Sequence, residues 1–201
     1  MEKLWKSRKT MLEVLRDRKY PVDEDDFIDH KEFVEQNEGR DEVTIRKEMT
    51  LQYEKTPSDK IMVIWPNENK LGTNIREIAL ELDNLEVTRA IIVINDSVTN
   101  WGKGFIRRLR VEKTYIDIYT LDESQFNIMG HVLVPKHQVC TPSEKKKILS
   151  AYSVKPDKIP QIKMSDPVIR HLGANRGNLI KITRESETQQ GWECITYRIV
   201  A

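Results

Sequence analysis

Two short runs of uninterrupted apolar residues constrain this chain more than any other feature. Ile61-Met62-Val63-Ile64-Trp65 is stopped by Pro66, and Ala90-Ile91-Ile92-Val93-Ile94 is closed by Asn95 and Asp96. A strand with one wet face alternates apolar and polar residues, so an unbroken run predicts a strand covered on both faces. Between the runs, Ile75, Ile78, Ala79, Leu82 and Leu85 recur at helical spacing from Asn74 onward. Strand, helix, strand over residues 61–94 is a crossover unit, which predicts a parallel pair. A basic helix around Lys103–Arg110 and a strand around Tyr115–Tyr119 extend this α/β arrangement.

Upstream, Leu4, Met11, Leu12 and Leu15 fall on one face of an amphipathic helix that ends before Pro21. A second helix is expected after Asp23, with Phe27, Ile28, Phe33 and Val34 as its apolar positions. Ten carboxylates lie between Asp23 and Glu42; this density reads as a solvated face, with some of them suiting a helix start. The period then shortens. Val43, Ile45, Met49, Leu51 and Tyr53 predict a half-buried strand, and Thr56-Pro57-Ser58-Asp59 a turn.

A boundary is expected near Met129–Gly130, dividing the chain into domains 1–129 and 130–201. Past it, Val132-Leu133-Val134 reads as a short strand ending at Pro135. Thr141-Pro142-Ser143-Glu144 carries the signals of a helix start: a hydroxyl cap, proline at the first position and glutamate at the third. Asp166-Pro167 opens a second helix to about Leu172, with Gly173 as its stop. Two strands follow, one through Leu179, Ile180 and Ile182, the other through Ile195, Tyr197 and Ile199. The fold class expected is α/β in the α+β sense: a mixed sheet with helices, then a small mixed sheet with two helices.

Composition narrows the class. Of 201 residues, 38% are hydrophobic and 32% charged, and four Trp, six Tyr and four Phe argue against disorder. No apolar run reaches the roughly 20 residues of a spanning helix, and no apolar core follows the first lysines, so neither a membrane nor a secretory leader is expected. Cys140 and Cys194 are too few for a disulfide framework, which suits a reducing compartment. The net charge of +1 hides an asymmetry: residues 1–130 hold 21 basic and 26 acidic side chains, the remainder 12 and 6. Such small imbalances describe an ordinary solvated surface better than a nucleic-acid domain.

The C-terminal motifs resemble one family. His131-x-Leu133-Val134-Pro135-x-His137 precedes Ile159-Pro160-x-Ile162 and then Asp166-Pro167-x-x-Arg170-x-x-Gly173-x-x-x-Gly177. Ile182-x-Arg184-x-Ser186-Glu187-Thr188 and Ile195-Thr196-Tyr197-Arg198 complete the set. Their order and spacing are similar to the assembly domain of the fifth, H-type subunit of eukaryotic and archaeal DNA-dependent RNA polymerases. Leu4-Trp5-Lys6-x-Arg8-x-Thr10, Leu15-Arg16-Asp17-Arg18 and Thr88-Arg89-Ala90-Ile91-Ile92-Val93 look, more loosely, like the jaw domain of the eukaryotic form. Archaeal members lack that domain, so the resemblance implies a eukaryotic-type polymerase or a copy carried by a large DNA virus. The chain departs from the family over Asp23–Tyr53, at Val98–Lys103 where the family has Thr-Pro-Ser-Ala, and at a turn through Gln189–Cys194 about two residues longer than the family's.

The resemblance implies a non-catalytic subunit that docks on the largest polymerase subunit, contacts other subunits and lines the downstream-DNA channel. It implies a nuclear location, or host cytoplasm and virion for a viral enzyme. The assembly-motif residues are then His131, Pro135, His137, Pro160, Asp166, Pro167, Arg170, Gly173, Gly177, Arg184, Tyr197 and Arg198. Their chemistry is structural: glycines for stops and turns, an aspartate cap, and arginines as planar donors to carboxylates. Asn100, Trp101, Lys103, Arg107 and Arg108, in a stretch that also holds Arg110 and Lys113, are the candidates for sequence-independent contact with duplex DNA. No catalytic residue, cofactor, metal or small-molecule substrate is expected.

Other chemistries have weaker support. Asp59, Glu68 and Lys70 around the first buried strand have the residue types of a Mg²⁺-dependent nuclease, but Pro66 separates the strand from the pair. His131, His137, Cys140 and Cys194 include one zinc-like spacing, His137-x-x-Cys140, where structural zinc sites pair their ligands. The expectation there is loop histidines beside a buried thiol. No nucleophile elbow and no phosphate loop occurs, since Gly102-Lys103-Gly104 lacks the hydroxyl. A free-standing transcription scaffold factor has the same composition as a polymerase subunit, and co-purification with the two largest polymerase subunits distinguishes the two.

Overall fold

The computed structural model describes residues 1–68, 70–185 and 192–201. The chain divides into two compact units, Met1–Phe126 and Asn127–Ala201. The turn Ile128–Gly130 therefore belongs wholly to the second unit.

In the first unit, helix α1 (Glu2–Asp17) buries Leu4, Met11, Leu12, Val14 and Leu15, together with Ser7 and Thr10. A single 3-10 turn, Glu24–Asp26, follows, capped reciprocally by Asp23 and Asp26. The second helix, α2 (His30–Gln36), starts later than the apolar pattern predicts, because Asp29 rather than Asp23 caps it through the amide of Glu32 at 2.8 Å. Val43 and Ile45 are not in a strand. They lie in α3 (Glu42–Glu48), whose cap Asp41 accepts from the Thr44 amide and hydroxyl. A capped start, an acidic first turn and Arg46 and Lys47 in the last turn outweigh the β-branched side chains there.

Strands β1 (Leu51–Thr56) and β2 (Asp59–Ile64) form an antiparallel hairpin around Pro57 and Ser58. β3 (Lys70–Leu71) leads into α4 (Ile75–Asn84) and β4 (Arg89–Ile94). β5 (Ser97–Val98), which pairs with β3, leads into α5 (Asn100–Val111) and β6 (Tyr115–Thr120). The main sheet has the order β1-β2-β4-β6, and β2, β4 and β6 run parallel. Ile61, Val63, Ile91 and Val93 point to the α1 side. Met62, Ala90, Ile92 and Ile94 point to the side of α4 and α5. Two covered faces explain the unbroken apolar runs; each fully buried Ile or Val contributes about 2 kcal/mol. On the α1 side a buried polar chain links distant elements. The Trp65 indole donates to Ser7 at 2.8 Å, the Ser7 and Ser124 hydroxyls are 2.8 Å apart, and Ser124 donates to the Leu121 carbonyl at 2.9 Å.

The second unit is built on a sheet of order β7-β9-β10-β8. Its strands are β7 (Lys136–Val139), β8 (Gln161–Ile162), β9 (Leu179–Glu185) and β10 (Glu193–Val200). β7, β9 and β10 are antiparallel neighbours, and β8 joins β10 in parallel. Val132–Val134 is a turn, not a strand: the Val134 amide closes onto the His131 carbonyl at 2.9 Å, and Val132 and Leu133 are 97% and 83% exposed. With Gly130 behind it and Pro135 ahead, this tripeptide has no ladder to join, and the strand forms only beyond the proline. Helix α6 (Pro142–Ala151) has the full capping box of Thr141 and Glu144, and α7 (Pro167–His171) is capped by Asp166. One sheet face packs Ile180, Ile182 and Val200 with Ile169; the other packs Leu179 and Ile199 with Ile148 and Leu149. The turn between β9 and β10 falls mostly outside the described residues, as do Ser186, Glu187 and Thr188.

Candidate functional site

Helix α5 begins where the Thr99 hydroxyl accepts the Gly102 amide at 3.1 Å. Phe105, Ile106 and Leu109 turn toward the core that holds Ile116. The rest of its surface is left to Asn100, Lys103, Arg107 and Arg108, all exposed, and to Trp101, which is 37% exposed. From Ser97 to Val111 no carboxylate occurs. Arg110 belongs to a different environment: half-buried, it approaches Asp117 at 3.9 Å and turns away from the exposed row. Lys113 lies past the helix end with φ +70°. Arg76, on α4, lies outside the basic stretch that the sequence singles out. Its guanidinium lies 4.9 Å from the Trp101 ring centroid, a meeting of residues 25 apart that no local pattern announces.

The assembly-motif residues are distributed over the second unit rather than gathered at one point. His131 is exposed, and its Nδ1 accepts the Leu133 amide at 3.2 Å. The half-buried His137, on β7 opposite Ile182, donates Nδ1–H to the Pro135 carbonyl at 2.7 Å. Pro160 accepts the Ile199 amide at 2.9 Å, so β8 is tied to β10 from just before its first residue. Asp166 accepts the Val168 amide at 2.9 Å, Pro167 occupies the first helical position, and Arg170 is half-buried in the same short helix.

Gly173 has φ +61° and Gly177 +86°, a backbone region where a side chain is strained. Gly177 is locked on both sides: its amide donates to Val200 at 2.8 Å, and its carbonyl accepts Lys145 Nζ at 2.8 Å. Arg184 is exposed on β9 opposite Cys194. Arg198 donates to the Gln161 carbonyl at 3.1 Å. Tyr197 meets Tyr152 edge-on at 6.0 Å. Partial burial, and then Tyr152 beside it, push its hydroxyl pKa up.

The nuclease trio is not assembled. Asp59 opens β2 and is occupied, accepting Tyr20 at 2.8 Å and facing Arg89 at 3.3 Å. Glu68 lies beyond the far end of that six-residue strand, a separation of roughly 20 Å along the chain direction. Lys70 is in β3. Cys140 is half-buried and Cys194 exposed. Burial, and then Glu144, push the Cys140 thiol up, away from a thiolate ligand. Among the described residues no group of three or more His, Cys, Asp or Glu side chains converges, and no helix is long and apolar enough to cross a membrane.

Comparison with known proteins accounts for both units. Residues 1–82 match RNA polymerase Rpb5, N-terminal domain, and residues 126–200 match RNA polymerase Rpb5, C-terminal domain. The chain is similar to subunit RPABC1 of DNA-directed RNA polymerases I, II and III from Caenorhabditis elegans, with 33% identity over 205 residues, 98% of this chain and 95% of that protein. The corresponding Dictyostelium discoideum subunit is 33% identical over 209 residues, 99% of this chain and 98% of that protein. The DNA-directed RNA polymerase subunit Rpo5 of Pyrococcus abyssi is 48% identical over 66 residues, 33% of this chain and 80% of that protein. With both units matched and two full-length relatives at this identity, the chain belongs to the Rpb5 family, whose members are accessory, non-catalytic subunits of DNA-directed RNA polymerase.

Proposed function

We propose that this subunit docks through residues 130–201 on the largest polymerase subunit, with other subunits as neighbours, and that residues 1–129 form part of the wall of the downstream-DNA channel. The observation that carries the DNA side is the row Lys103, Arg107 and Arg108: three exposed cations on one helix, in a carboxylate-free stretch of a unit whose overall balance is acidic. A local cationic row on an acidic body contacts phosphates without reading bases, which a polymerase sliding over any template requires. The docking side is supported by the size of the archaeal match. Its 66 residues are comparable to the second unit and make up 80% of that subunit. A module of that extent suffices for membership in a polymerase. A nuclear location follows from the eukaryotic polymerases named among the relatives.

Two experiments test this reading. Deleting residues 130–201 abolishes incorporation into the polymerase, read by mass spectrometry of the purified complex; normal incorporation overturns the docking assignment. Reversing charge at Lys103, Arg107 and Arg108 leaves assembly intact and weakens retention of downstream duplex. Retention unchanged from wild type at every salt concentration overturns the DNA assignment.

A further inference from the structure

One flank of α5, where half-buried Phe105 meets exposed Trp101 and Arg108, carries an arrangement that neither sequence pattern nor family membership assigns. Arg76 lies over Trp101, 4.9 Å from its centroid. Trp101 stacks on Phe105 with centroids 5.3 Å apart and planes within 12°. Arg108 lies over the Phe105 ring at 5.3 Å. Two guanidinium groups from two helices are thus joined through two stacked rings.

We propose that this column is a rigid phosphate clamp for duplex DNA, with Arg76 as a binding residue beside Lys103, Arg107 and Arg108; the proposal rests on the channel-wall reading above. A guanidinium on an aromatic face uses its π-surface and keeps its in-plane N–H donors, the geometry that meets a phosphate. The rings also fix the side chain before any ligand arrives, so less rotamer freedom is lost on binding. The donors are not spent elsewhere. Among the described residues the nearby ion pairs use Lys60, Arg89 and Arg110, and none includes Arg76, Lys103, Arg107 or Arg108. Three and four positions beyond Arg76 on α4 lie Ala79 and Leu80, so no carboxylate stands at the spacing that pairs with it along the helix. Because each ring already has a partner on it, base stacking is not the mode; the column offers charge to a backbone.

The test is the salt dependence of binding between this full chain and a mixed-sequence DNA duplex, followed by fluorescence anisotropy. Each phosphate contact contributes about 0.9 to the slope of log affinity against log salt. Arg76→Gln, at an exposed position, lowers affinity several-fold and the slope by about one contact. Trp101→Leu removes no charge yet lowers the slope in the same direction, because it frees Arg76 from its platform; a ring with a merely packing role leaves the slope intact. If Lys103 and Arg107 variants weaken binding while Arg76→Gln matches wild type, the clamp is overturned and the channel-wall reading stands. If the wild type fails to bind duplex, both fall. If polyglutamate competes for the column and Arg76→Gln affects only that binding, the surface faces an acidic protein and the DNA clamp is overturned.

Discussion

The guanidinium of Arg18, at the end of α1, lies 2.8 Å from the carboxylate of Asp117 on β6, with side chains 4% and 18% exposed. Ninety-nine residues separate them in sequence. Burial opposes the charge on Arg18, but Asp117 and the polar groups around it outweigh that cost, so its pKa is raised. Removing one partner of such a pair leaves an uncompensated buried charge. Asp117→Ala is expected to cost about 3 kcal/mol in urea unfolding. The double change Arg18→Met with Asp117→Leu recovers most of that loss, since well-packed apolar replacements leave nothing unpaired.

Two tyrosines make the first unit sensitive to alkali. Burial, and then hydrogen bonds to Asp59 and Asp26, hold the Tyr20 and Tyr53 hydroxyls above their ordinary value of about 10. A raised pKa leaves stability intact below the unfolded value. Above about pH 10 the unfolded chain loses these protons first, so stability falls until the folded groups titrate. Denaturation midpoints are therefore expected to drop above pH 10. The double variant Tyr20→Phe/Tyr53→Phe has a flatter alkaline profile and a lower stability at neutral pH.

Four helices end on a residue other than glycine in the left-handed region: Lys19 at φ +68°, Glu86 at +55°, Lys113 at +70° and Ser153 at +51°. Each is followed by an amide that reaches back across the last turn: Tyr20 to Leu15, Val87 to Leu82, Thr114 to Leu109 and Val154 to Leu149. This is the same closure that Gly173 gives α7 through Ala174 and Ile169. A Cβ in that region costs roughly 1–2 kcal/mol, part of which glycine gives back by its freedom in the unfolded chain. Glu86→Gly and Ser153→Gly are each expected to stabilise by about 0.5–1 kcal/mol in thermal or urea melts.

Gly102 and Gly104, two residues apart in α5, respond in opposite directions. A Cβ on Gly102 would meet Val98 Cγ1 at 2.9 Å and the Leu71 carbonyl at 3.0 Å, while one on Gly104 meets nothing within 4 Å. Gly102→Ala is expected to destabilise by about 1–3 kcal/mol through overpacking. Gly104→Ala stabilises by about 1 kcal/mol, as an exposed helix-interior glycine does. Circular dichroism melts of the two variants check this directly.

What the sequence by itself determined were the features whose causes are local. The buried strands at Ile61–Ile64 and Ala90–Ile94 follow from unbroken apolar runs, and the starts of α6 and α7 from a capping residue next to a proline. Where local signals conflict, the stronger one decides. Val43 to Ile45 are strand formers by side-chain type but obey the Asp41 cap, and Val132–Val134 have strand-forming side chains yet turn before Pro135. The helix ends at Glu86, Lys113 and Ser153 carried no glycine to announce them. Only tertiary structure decided which cations are available. Arg110 is drawn toward Asp117, Arg46 reaches Asn95 at 2.9 Å, and Arg76 is brought onto Trp101. Packing the helices on the sheet joins side chains distant in sequence. Whether a guanidinium ends in an ion pair, on a ring or in solvent therefore depends on partners that no sequence window contains.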